Sequence, residues 1–322
     1  DNMEKPGGKV IHNLLAGNFN GDLYAVNTKP LTLEGVTSFT SIDDLPPTDL
    51  AILSIPAAAC LESIKALLAR NTKAFIVFSA GFGEAGPDGK MHEAELIRLI
   101  NENNACLIGP NCIGIINGTY KGVFTSPVPD YDPMGCELIS GSGATAVFIM
   151  EAAHSTGLRF SNVYSIGNAS QTGAEDILEY MDINFNPETS PRIKLLYLEN
   201  IKNPFKFLRH STSLINKGCR IAAIKSGYSE AGSRAASSHT GAMASTDAVV
   251  RALFQKAGVI YCSSRNDLIS VGCVLQSQQL TGPRIAIITH AGGSAVMLTD
   301  MLSSRGLEVP HLPEDQVADL LK

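Results

Sequence analysis

The sequence lacks tryptophan, paired cysteines and long apolar runs. Its seven cysteines show neither a Cys-x-x-Cys pair nor a Cys/His spacing suited to zinc, so we expect free thiols, a reducing compartment and no metal site. No run approaches the roughly eighteen apolar residues that a membrane helix requires. The opening residues, Asp1–Gly8, also lack a signal-peptide pattern. We therefore expect a cytoplasmic protein without a membrane partner.

A basic stripe is absent as well. The 322 residues carry a formal net charge of -6, and the lysines and arginines are scattered along the chain. Because nucleic-acid binding depends on clustered positive charge, this pattern argues against a nucleic-acid partner and favours small-molecule ligands.

What the chain does contain is an alternation of short apolar strands with helical segments. This alternation predicts an α/β protein whose parallel sheets are covered by helices on both faces, and the length predicts two or three domains. We expect a first domain at 1–122, a linker at 123–134, a second, doubly wound domain at 135–282, and an incomplete third unit at 283–322. The third unit should open with a strand at Arg284–Thr289. No strand precedes the opening helix, so we expect a first strand to be missing.

His239 is the main candidate for covalent chemistry, because the surrounding segment, Ala235–Ala242, otherwise contains only small side chains. The segment follows a predicted strand, Ile221–Ile224, and therefore lies at the carboxyl edge of a sheet, where open α/β sheets bind ligands. An accessible imidazole is a competent nucleophile near neutral pH. The alternative is a loop histidine with a purely structural role.

Two further strand ends carry candidate chemistry. Ser140–Ala144 follows a strand and starts a helix, where free N–H groups and the helix dipole favour a phosphate; the alternative is a tight turn that needs glycine. Glu199 closes an apolar strand and could accept an imidazole N–H, which would fix the tautomer of a histidine. The alternative for Glu199 is a solvated loop acid.

Taken in order, the strand-end loops resemble the motifs of the NDP-forming acyl-CoA synthetases, which include the ADP-forming acetate–CoA ligases and relatives of the succinyl-CoA synthetase α subunit. The resemblance covers nearly the whole chain. It rests on Ser79–Glu84, Gly109–Gly114, Ser140–Ala144, Ser165–Asn168 and Lys225–Ala242. It implies a Rossmann-like CoA-binding domain, a flavodoxin-like domain and, from Arg284, the start of a second flavodoxin-like domain.

The resemblance also implies a reaction in which acyl-CoA, ADP and phosphate are interconverted with a carboxylic acid, CoA and ATP. The intermediates are an acyl phosphate and a phosphohistidine at His239, with Glu199 steadying the imidazole. The residues matching the phosphate-binding positions are Ser142, Gly143, Ala144 and, at a second helix start, Asn168.

For CoA, the matching positions lie at successive strand ends. They are Asn27, Lys29, Ile55, Pro56, Ser79, Ala80, Gly81, Phe82, Asn111 and Cys112. Lys29 could meet a CoA phosphate as a point charge, or be an ordinary surface lysine. From its sequence neighbours alone we expect the Cys112 side chain to be a buried thiol and not a nucleophile, because no nearby residue would lower its pKa.

The resemblance further implies partners outside this chain. ADP or ATP and Mg²⁺ would bind an ATP-grasp module, supplied by a β-type subunit or a C-terminal region, and we expect an oligomer. Gly141 stands where the family usually has glutamine, and backbone contacts to phosphate should survive that change. Alternatives are a non-catalytic acyl-CoA sensor and a nicotinamide-dependent oxidoreductase, although no G-x-G-x-x-G with a following acid is present.

Overall fold

The computed structural model describes residues 4–126, 128–227, 232, 247–277 and 281–320. His239 and the small-residue segment around it lie outside the described residues. By its internal contacts the chain divides into two units, Asp1–Gln276 and Ser277–Lys322, which are described separately.

The first unit alternates strands and helices as the sequence predicts. Its strands are β1 (Tyr24–Val26), β2 (Thr37–Phe39), β3 (Leu50–Leu53), β4 (Ala74–Val77), β5 (Cys106–Ile108), β6 (Gly114–Ile116), β7 (Lys121–Val123), β8 (Tyr131–Ser140), β9 (Phe160–Ser165), β10 (Ile193–Leu198), β11 (Arg220–Lys225) and β12 (Ile260–Tyr261). Its helices are α1 (Pro6–Ala16), α2 (Ala57–Ala69), α3 (Pro87–Glu102), α4 (Gly143–Thr156), α5 (Ala174–Ile183), α6 (Pro204–Asn216), α7 (Asp247–Ala257) and α8 (Arg265–Gln276).

These strands form three sheets. Strands β3, β4 and β5 are parallel neighbours, and β1 and β2 form a parallel pair. The largest sheet has the order β12-β11-β10-β8-β9-β6-β7 and is parallel from β12 to β9, whereas β6 runs antiparallel to both β9 and β7. The loops that follow β8, β9, β10 and β11 therefore leave from one edge of this sheet.

The hairpin of β6 and β7 connects the two parts of the first unit. Residues up to 122 belong to the predicted first domain, yet this hairpin pairs with β9 of the large sheet. The predicted linker at 123–134 likewise contains the start of β8 at Tyr131. In addition, Asn13 of α1 donates hydrogen bonds to the carbonyls of Val123 (2.7 Å) and Thr125 (3.0 Å). The exact domain limits stay a prediction.

The apolar core is continuous across the same boundary. One buried cluster joins Val10 of α1 and Ile76 of β4 to Ile139 of β8 and Phe254 of α7. A second cluster fills the other face of the large sheet, and a third packs α2 and α3 on the small parallel sheet. Since apolar burial is the dominant driving force of folding, residues on both sides of position 122 stabilise one another.

A buried ion pair lies inside the large sheet. Lys194 on β10 and Glu137 on β8 are register partners, and their side chains are 1% and 6% exposed. The Lys194 ammonium donates to a Glu137 oxygen and to the carbonyl of Pro191 (2.6 Å). The other Glu137 oxygen accepts a hydrogen bond from Asn162 (2.7 Å). Because a buried charge without a partner is costly, this pair favours one register of β8 against β10.

A second polar network joins α5 to α6. Asp182 on α5 contacts His210 Nδ1 (2.8 Å), Ser213 Oγ (2.7 Å) and Lys217 Nζ (2.7 Å). Burial raises the pKa of the Asp182 carboxyl, but the hydrogen bonds from Lys217, Ser213 and His210 outweigh it and hold the pKa below its ordinary value. Asp182 is therefore ionised at neutral pH and binds the two helices together.

The second unit contains α9 (Gly292–Ser304) and α10 (Glu314–Leu320). The predicted strand at Arg284–Thr289 is wrong in extent. Only Arg284 forms a bridge, to Glu308, and residues 285–289 belong to no strand. A parallel strand requires a continuous ladder of backbone partners. In the described part of this unit that ladder is limited to the bridge and the adjoining bond from Ile285 N to Glu308 O (2.8 Å).

Candidate functional site

A cavity of about 260 Å³ lies where loops from both parts of the first unit meet. Its walls come from the turn before α3, from α3 itself, from the start of α5, from the end of β10, and from the loops that follow β8, β9 and β10. It is lined by Gly83, Lys90, Glu93, Gly141, Ile166, Gly167, Asn168, Ala169, Glu175, Tyr197, Leu198, Glu199, Asn200 and Lys202. The predicted residues Glu199 and Asn168 are thus brought to one concave site, as expected for open α/β sheets.

Glu199 reaches the cavity because it follows β10 directly. A Cβ atom added at Gly141 would lie 3.5 Å from Glu199 Cγ, so the loop after β8 passes close to this carboxylate. The adjoining strand β11 ends with Lys225, which is 3% exposed. Burial lowers the pKa of the Lys225 ammonium, and the charge of Glu199 opposes that shift. Lys225 therefore supplies a buried positive charge beside the predicted orienting acid.

Helix α4 begins beside the cavity, at the predicted phosphate-binding residues. Ser142 is its N-cap, and the Ser142 hydroxyl accepts hydrogen bonds from Thr145 N (3.3 Å) and Thr145 Oγ1 (3.0 Å). Gly143 and Ala144 form the first helical turn. A Cβ at Gly143 would lie 2.5 Å from Ile113 Cγ2, which explains why glycine is needed there. The helix N-terminus is thereby fixed next to Gly141, with the polarity that favours an anion.

The loop after β9 forms another wall. Gly167 and Ala169 both have positive φ, 54° and 52°. A Cβ at Gly167 would lie 2.2 Å from the carbonyl oxygen of Pro110, so this backbone approach requires glycine. Lys202, in the loop after β10, fixes this loop by donating hydrogen bonds to the carbonyls of Ala169 and Ser170.

Lys202 also lines the cavity. Burial lowers its pKa, while Glu93, Glu175 and Asp176 act in the opposite direction. An ammonium has three donors, and two reach the carbonyls just described. The third donor is a candidate for contact with a phosphoryl or carboxylate oxygen in the cavity.

Asn168 has a different environment from the one expected for a phosphate-binding side chain. Its Nδ2 atom donates to Glu84 Oε2 (2.5 Å) and Glu93 Oε2 (3.0 Å), and its Oδ1 accepts from Asn111 Nδ2 (3.3 Å). Both donors of the amide are therefore engaged by carboxylates. Its role in phosphate binding stays a prediction, and the structure places it in a network that the sequence did not suggest.

The predicted CoA positions lie at neighbouring strand ends. Ser79, after β4, donates through its hydroxyl to the carbonyl of Ile55, after β3, and accepts at its carbonyl a bond from Asn111 N (3.0 Å). Pro56 is the N-cap of α2, and Ala80 follows Ser79 on the surface. The surface that we call the CoA rim consists of Ile55, Pro56, Ser79, Ala80 and Gly81.

Other members of the predicted CoA set differ in exposure. Asn27 and Lys29, after β1, are exposed, as a phosphate contact requires. Gly81 has a φ of 105°, and a Cβ there would lie 3.1 Å from Ala57 Cβ, so the turn passes close to the start of α2. Phe82 is 2% exposed and its side chain packs in the core, so any contact of Phe82 with CoA would be made by its backbone.

The Cys112 side chain is buried. Its thiol is 3.4 Å from the carbonyl of Val77, and burial raises its pKa to about 12. A thiol with that pKa stays protonated at neutral pH and is a poor nucleophile. The Cys112 thiol is therefore not expected to act as a nucleophile at a CoA site.

Sequence reasoning did not single out several cavity residues. Lys202, Glu93 and Glu175 lie on helices or loops with no motif around them. Lys225, which is not among the cavity-lining residues but interacts with Glu199, did carry a signal, since a lysine ends the predicted apolar strand. In the portions that the structure describes, no cluster of three or more His, Cys, Asp or Glu side chains is arranged to bind a metal, and no helix has the length and apolar character needed to cross a membrane.

Comparison with known proteins gives two family matches that follow one another along the chain. Residues 1–118 match a CoA binding domain, and residues 133–275 match a succinyl-CoA ligase like flavodoxin domain. The chain thus joins a CoA-binding domain to a succinyl-CoA ligase-like domain. The predicted fold class, Rossmann-like followed by flavodoxin-like with parallel sheets, is confirmed.

Two of the curated relatives are named as ADP-forming ligases. The chain is 30% identical over 301 residues to the α subunit of acetate–CoA ligase [ADP-forming] II of Pyrococcus furiosus, covering 93% of this chain and 65% of that protein. It is 31% identical over 319 residues to acetate–CoA ligase [ADP-forming] I of Archaeoglobus fulgidus, covering 98% of this chain and 45% of that protein.

A solved structure shows the same arrangement. The dinucleotide-forming acetyl-coenzyme A synthetase 1 of Ca. Korarchaeum cryptofilum, in complex with phosphate and ADP, superposes with a TM-score of 0.83 at 26% identity, covering 97% of this chain and 67% of that chain. The resemblance to the α-type region of ADP-forming acyl-CoA ligases is confirmed. The chain spans only 45% to 65% of the two curated relatives, so the complete activity is a matter for proposal.

Proposed function

We propose that this chain is the CoA-binding and phosphoryl-carrying part of an ADP-forming acid–CoA ligase. The complete enzyme would interconvert acyl-CoA, ADP and phosphate with a carboxylic acid, CoA and ATP. The observation that carries the proposal is the cavity in which Glu199, Lys202 and the loop leading to the start of α4 meet. Strand β11, which ends beside Glu199, leads into the segment that contains His239.

In the first step, inorganic phosphate attacks the thioester carbonyl of acyl-CoA. The carbon–sulfur bond breaks, CoA leaves as its thiol after gaining a proton, and an acyl phosphate forms. The positive end of α4 at Ser142, Gly143 and Ala144 favours the phosphate dianion, and Lys202, which lines the cavity, offers a further donor.

In the second step, a nitrogen of His239 attacks the phosphorus of the acyl phosphate. The phosphorus–oxygen bond to the acyl group breaks, and the carboxylate leaves. Glu199 accepts the N–H of the other ring nitrogen, which keeps the attacking nitrogen unprotonated and stabilises the phosphorylated ring. The phosphoryl group then passes from His239 to ADP, and every step is reversible.

The rim formed by Ile55, Pro56, Ser79, Ala80 and Gly81 suits CoA. The ends of the two neighbouring parallel strands β3 and β4 lie side by side there, and Gly81 has no side chain to keep a ligand from the backbone. Asn27 and Lys29 are exposed beyond β1, where an ammonium can meet a CoA phosphate. We therefore propose that CoA contacts the rim and the exposed residues Asn27 and Lys29.

We further propose that ADP or ATP and Mg²⁺ bind an ATP-grasp module in a β-type subunit or C-terminal region, and that the complete enzyme is an oligomer. The support is that an α subunit and a longer single chain are both among the relatives, and that this chain covers only part of each. The acid is a small carboxylic acid such as acetate.

The test is phosphoryl labelling of the complete ligase that contains this chain. Incubation with γ-labelled ATP and Mg²⁺ should give an acid-labile, base-stable label that disappears in His239→Asn and persists in His311→Asn, an exposed histidine of the second unit. Glu199→Gln should slow labelling at least tenfold without loss of CoA binding, whereas Glu188→Gln, an exposed control, should not. Label retained in His239→Asn would overturn the assignment. CoA binding without any label would indicate a sensor instead.

A further inference from the structure

Glu84 connects the predicted CoA rim to the cavity. It lies in the short 3₁₀ turn Gly83–Ala85 between β4 and α3. One carboxylate oxygen, Oε1, accepts hydrogen bonds from the backbone N–H groups of Gly81 (2.5 Å) and Phe82 (3.3 Å). The other, Oε2, accepts from Asn168 Nδ2 (2.5 Å) in the loop after β9. A single side chain therefore bonds both the rim turn and the cavity wall.

The hydrogen bonds around Asn168 determine how its amide is oriented. Carboxylates of Glu84 and Glu93 both approach the same terminal atom, and carboxylates can only accept. That atom is therefore the nitrogen, whose two N–H groups match the two acceptors. The amide oxygen is left to accept from Asn111, another predicted CoA residue (3.3 Å). The rim and the cavity wall thus share one satisfied network.

The network requires Glu84 to be ionised. Burial raises its pKa, but the hydrogen bonds from Asn168, Gly81 and Phe82 outweigh burial and hold the pKa below its ordinary value. A glutamine at this position would keep the shape but only one acceptor. Its NH₂ group would face either the Gly81 N–H or the Asn168 amide, and a donor facing a donor breaks one side of the bridge.

Glu93 supports the same turn from α3 but does not replace Glu84. Its Oε2 accepts from Gly83 N (2.9 Å) and from Asn168 Nδ2 (3.0 Å), and Glu93 lines the cavity. It therefore fixes the end of the turn, whereas Glu84 alone accepts from Gly81 and Phe82 among the contacts described. Gly81 and Phe82 are both predicted CoA residues, so Glu84 holds the backbone of the predicted CoA-binding turn.

We propose that Glu84 is a positioning residue that sets the CoA-binding turn at Gly81 and Phe82 relative to the phosphate cavity through its bond to Asn168. This inference rests on the proposed function, because it assumes that the rim binds CoA and the cavity binds the phosphoryl group. Glu84 would not touch the reacting atoms. It would keep the thioester of bound acyl-CoA within reach of the phosphate.

The test uses the complete ligase and the isosteric change Glu84→Gln, with Glu102→Gln as the matched control on the exposed end of α3. Titration calorimetry measures the Kd for CoA, initial rates give kcat and KM for CoA, and ATP labelling measures the phosphoenzyme without CoA. We expect Glu84→Gln to raise the Kd and KM for CoA about tenfold, with a smaller effect, at most about twofold, on labelling. Glu102→Gln should match the wild type in all three.

A second variant covers the case in which Glu84→Gln does not fold. Asn168→Ala leaves Glu84 on the turn but removes the bridge, and it should also weaken CoA binding several-fold. If both variants fold, the double variant should bind CoA no more weakly than the weaker single one, because both changes remove the same contact. A CoA Kd within twofold of wild type in whichever variant folds would refute the inference. A variant in which CoA binding and labelling weaken by the same factor while the melting temperature falls would assign Glu84 a purely structural role.

The two proposals fail separately. Wild-type enzyme that binds CoA but never labels would remove the proposed phosphoryl transfer, while the comparison of CoA Kd values would still decide the role of Glu84.

Discussion

Replacing Lys194 by methionine is the sharpest stability test that the fold offers. The change leaves the Glu137 carboxylate, 6% exposed, with Asn162 as its described hydrogen-bond donor. Removing one partner of a buried ion pair typically costs about 3–5 kcal/mol, because an uncompensated charge stays in a poorly solvated site. At roughly 2–4 °C for each kcal/mol in a unit of this size, the melting temperature should fall by roughly 6–20 °C.

The double variant Lys194→Met, Glu137→Gln tests the cause. It leaves no buried charge at these two positions, and its glutamine can still accept from Asn162, so it should recover most of the lost stability. Arg98→Met serves as the control, because its ion pair with Glu102 is more than half exposed and such pairs contribute about 0–1 kcal/mol. Calorimetry or thermal circular dichroism measures all of these.

Two results would refute this reasoning. One is a Lys194→Met protein that melts within about 2 °C of wild type, equivalent to less than roughly 1 kcal/mol. The other is a double variant less stable than the single one. Either would mean that the pair is not what holds β8 and β10 in the register that brings Gly141 against Glu199.

Three further outcomes follow from the site and the fold. Because the folded pKa of Asp182 lies below its unfolded value of about 3.9, its stabilisation is present above that pH and is lost as the pH falls through the folded pKa. Asp182→Asn should therefore melt lower than wild type at neutral pH, and the gap should narrow as the pH falls below about 3.9. Gly167→Ala should lower the free energy of unfolding by on the order of 1–3 kcal/mol more than Gly157→Ala does. Both glycines have positive φ, but only at Gly167 would a Cβ atom meet a backbone oxygen. Urea unfolding measures both variants, and equal losses of stability would contradict the prediction. Iodoacetamide at pH 8 should modify exposed Cys106 well before Cys112, as mass spectrometry would show; equal rates would contradict the burial of Cys112.

The sequence predicted the alternation of strands and helices well because apolar periodicity is local. It also placed Glu199 correctly at a strand end, and the structure brings it to the cavity. The hairpin of β6 and β7 was not predicted, because its strands are three residues long and their pairing with β9 depends on distant residues. The strand predicted at Arg284–Thr289 satisfied the local pattern but lacks a ladder of partners in the described structure.

The candidate site was predictable only where chemistry coincides with a strand end. Glu84 lies within a predicted motif, yet its bond to Asn168 spans 84 positions in the chain and cannot be inferred from spacing. Lys202 gives no signal in sequence, since its role depends on two loop carbonyls and on burial. Asn168 was predicted for phosphate on a helix-start argument, which could not reveal the two carboxylates that face its amide.

The hairpin of β6 and β7 restricts how such enzymes can be recombined. A chimera that exchanges the CoA-binding domain at residue 118 or 122 would cut through this hairpin and import a strand selected to pair with a different β9. A poor match there would leave an open sheet edge, which is a template for aggregation. A chimera that carries the donor's hairpin together with its β9 strand keeps that pairing intact, so the segment that can be exchanged without disturbing the large sheet extends beyond the CoA-binding domain itself.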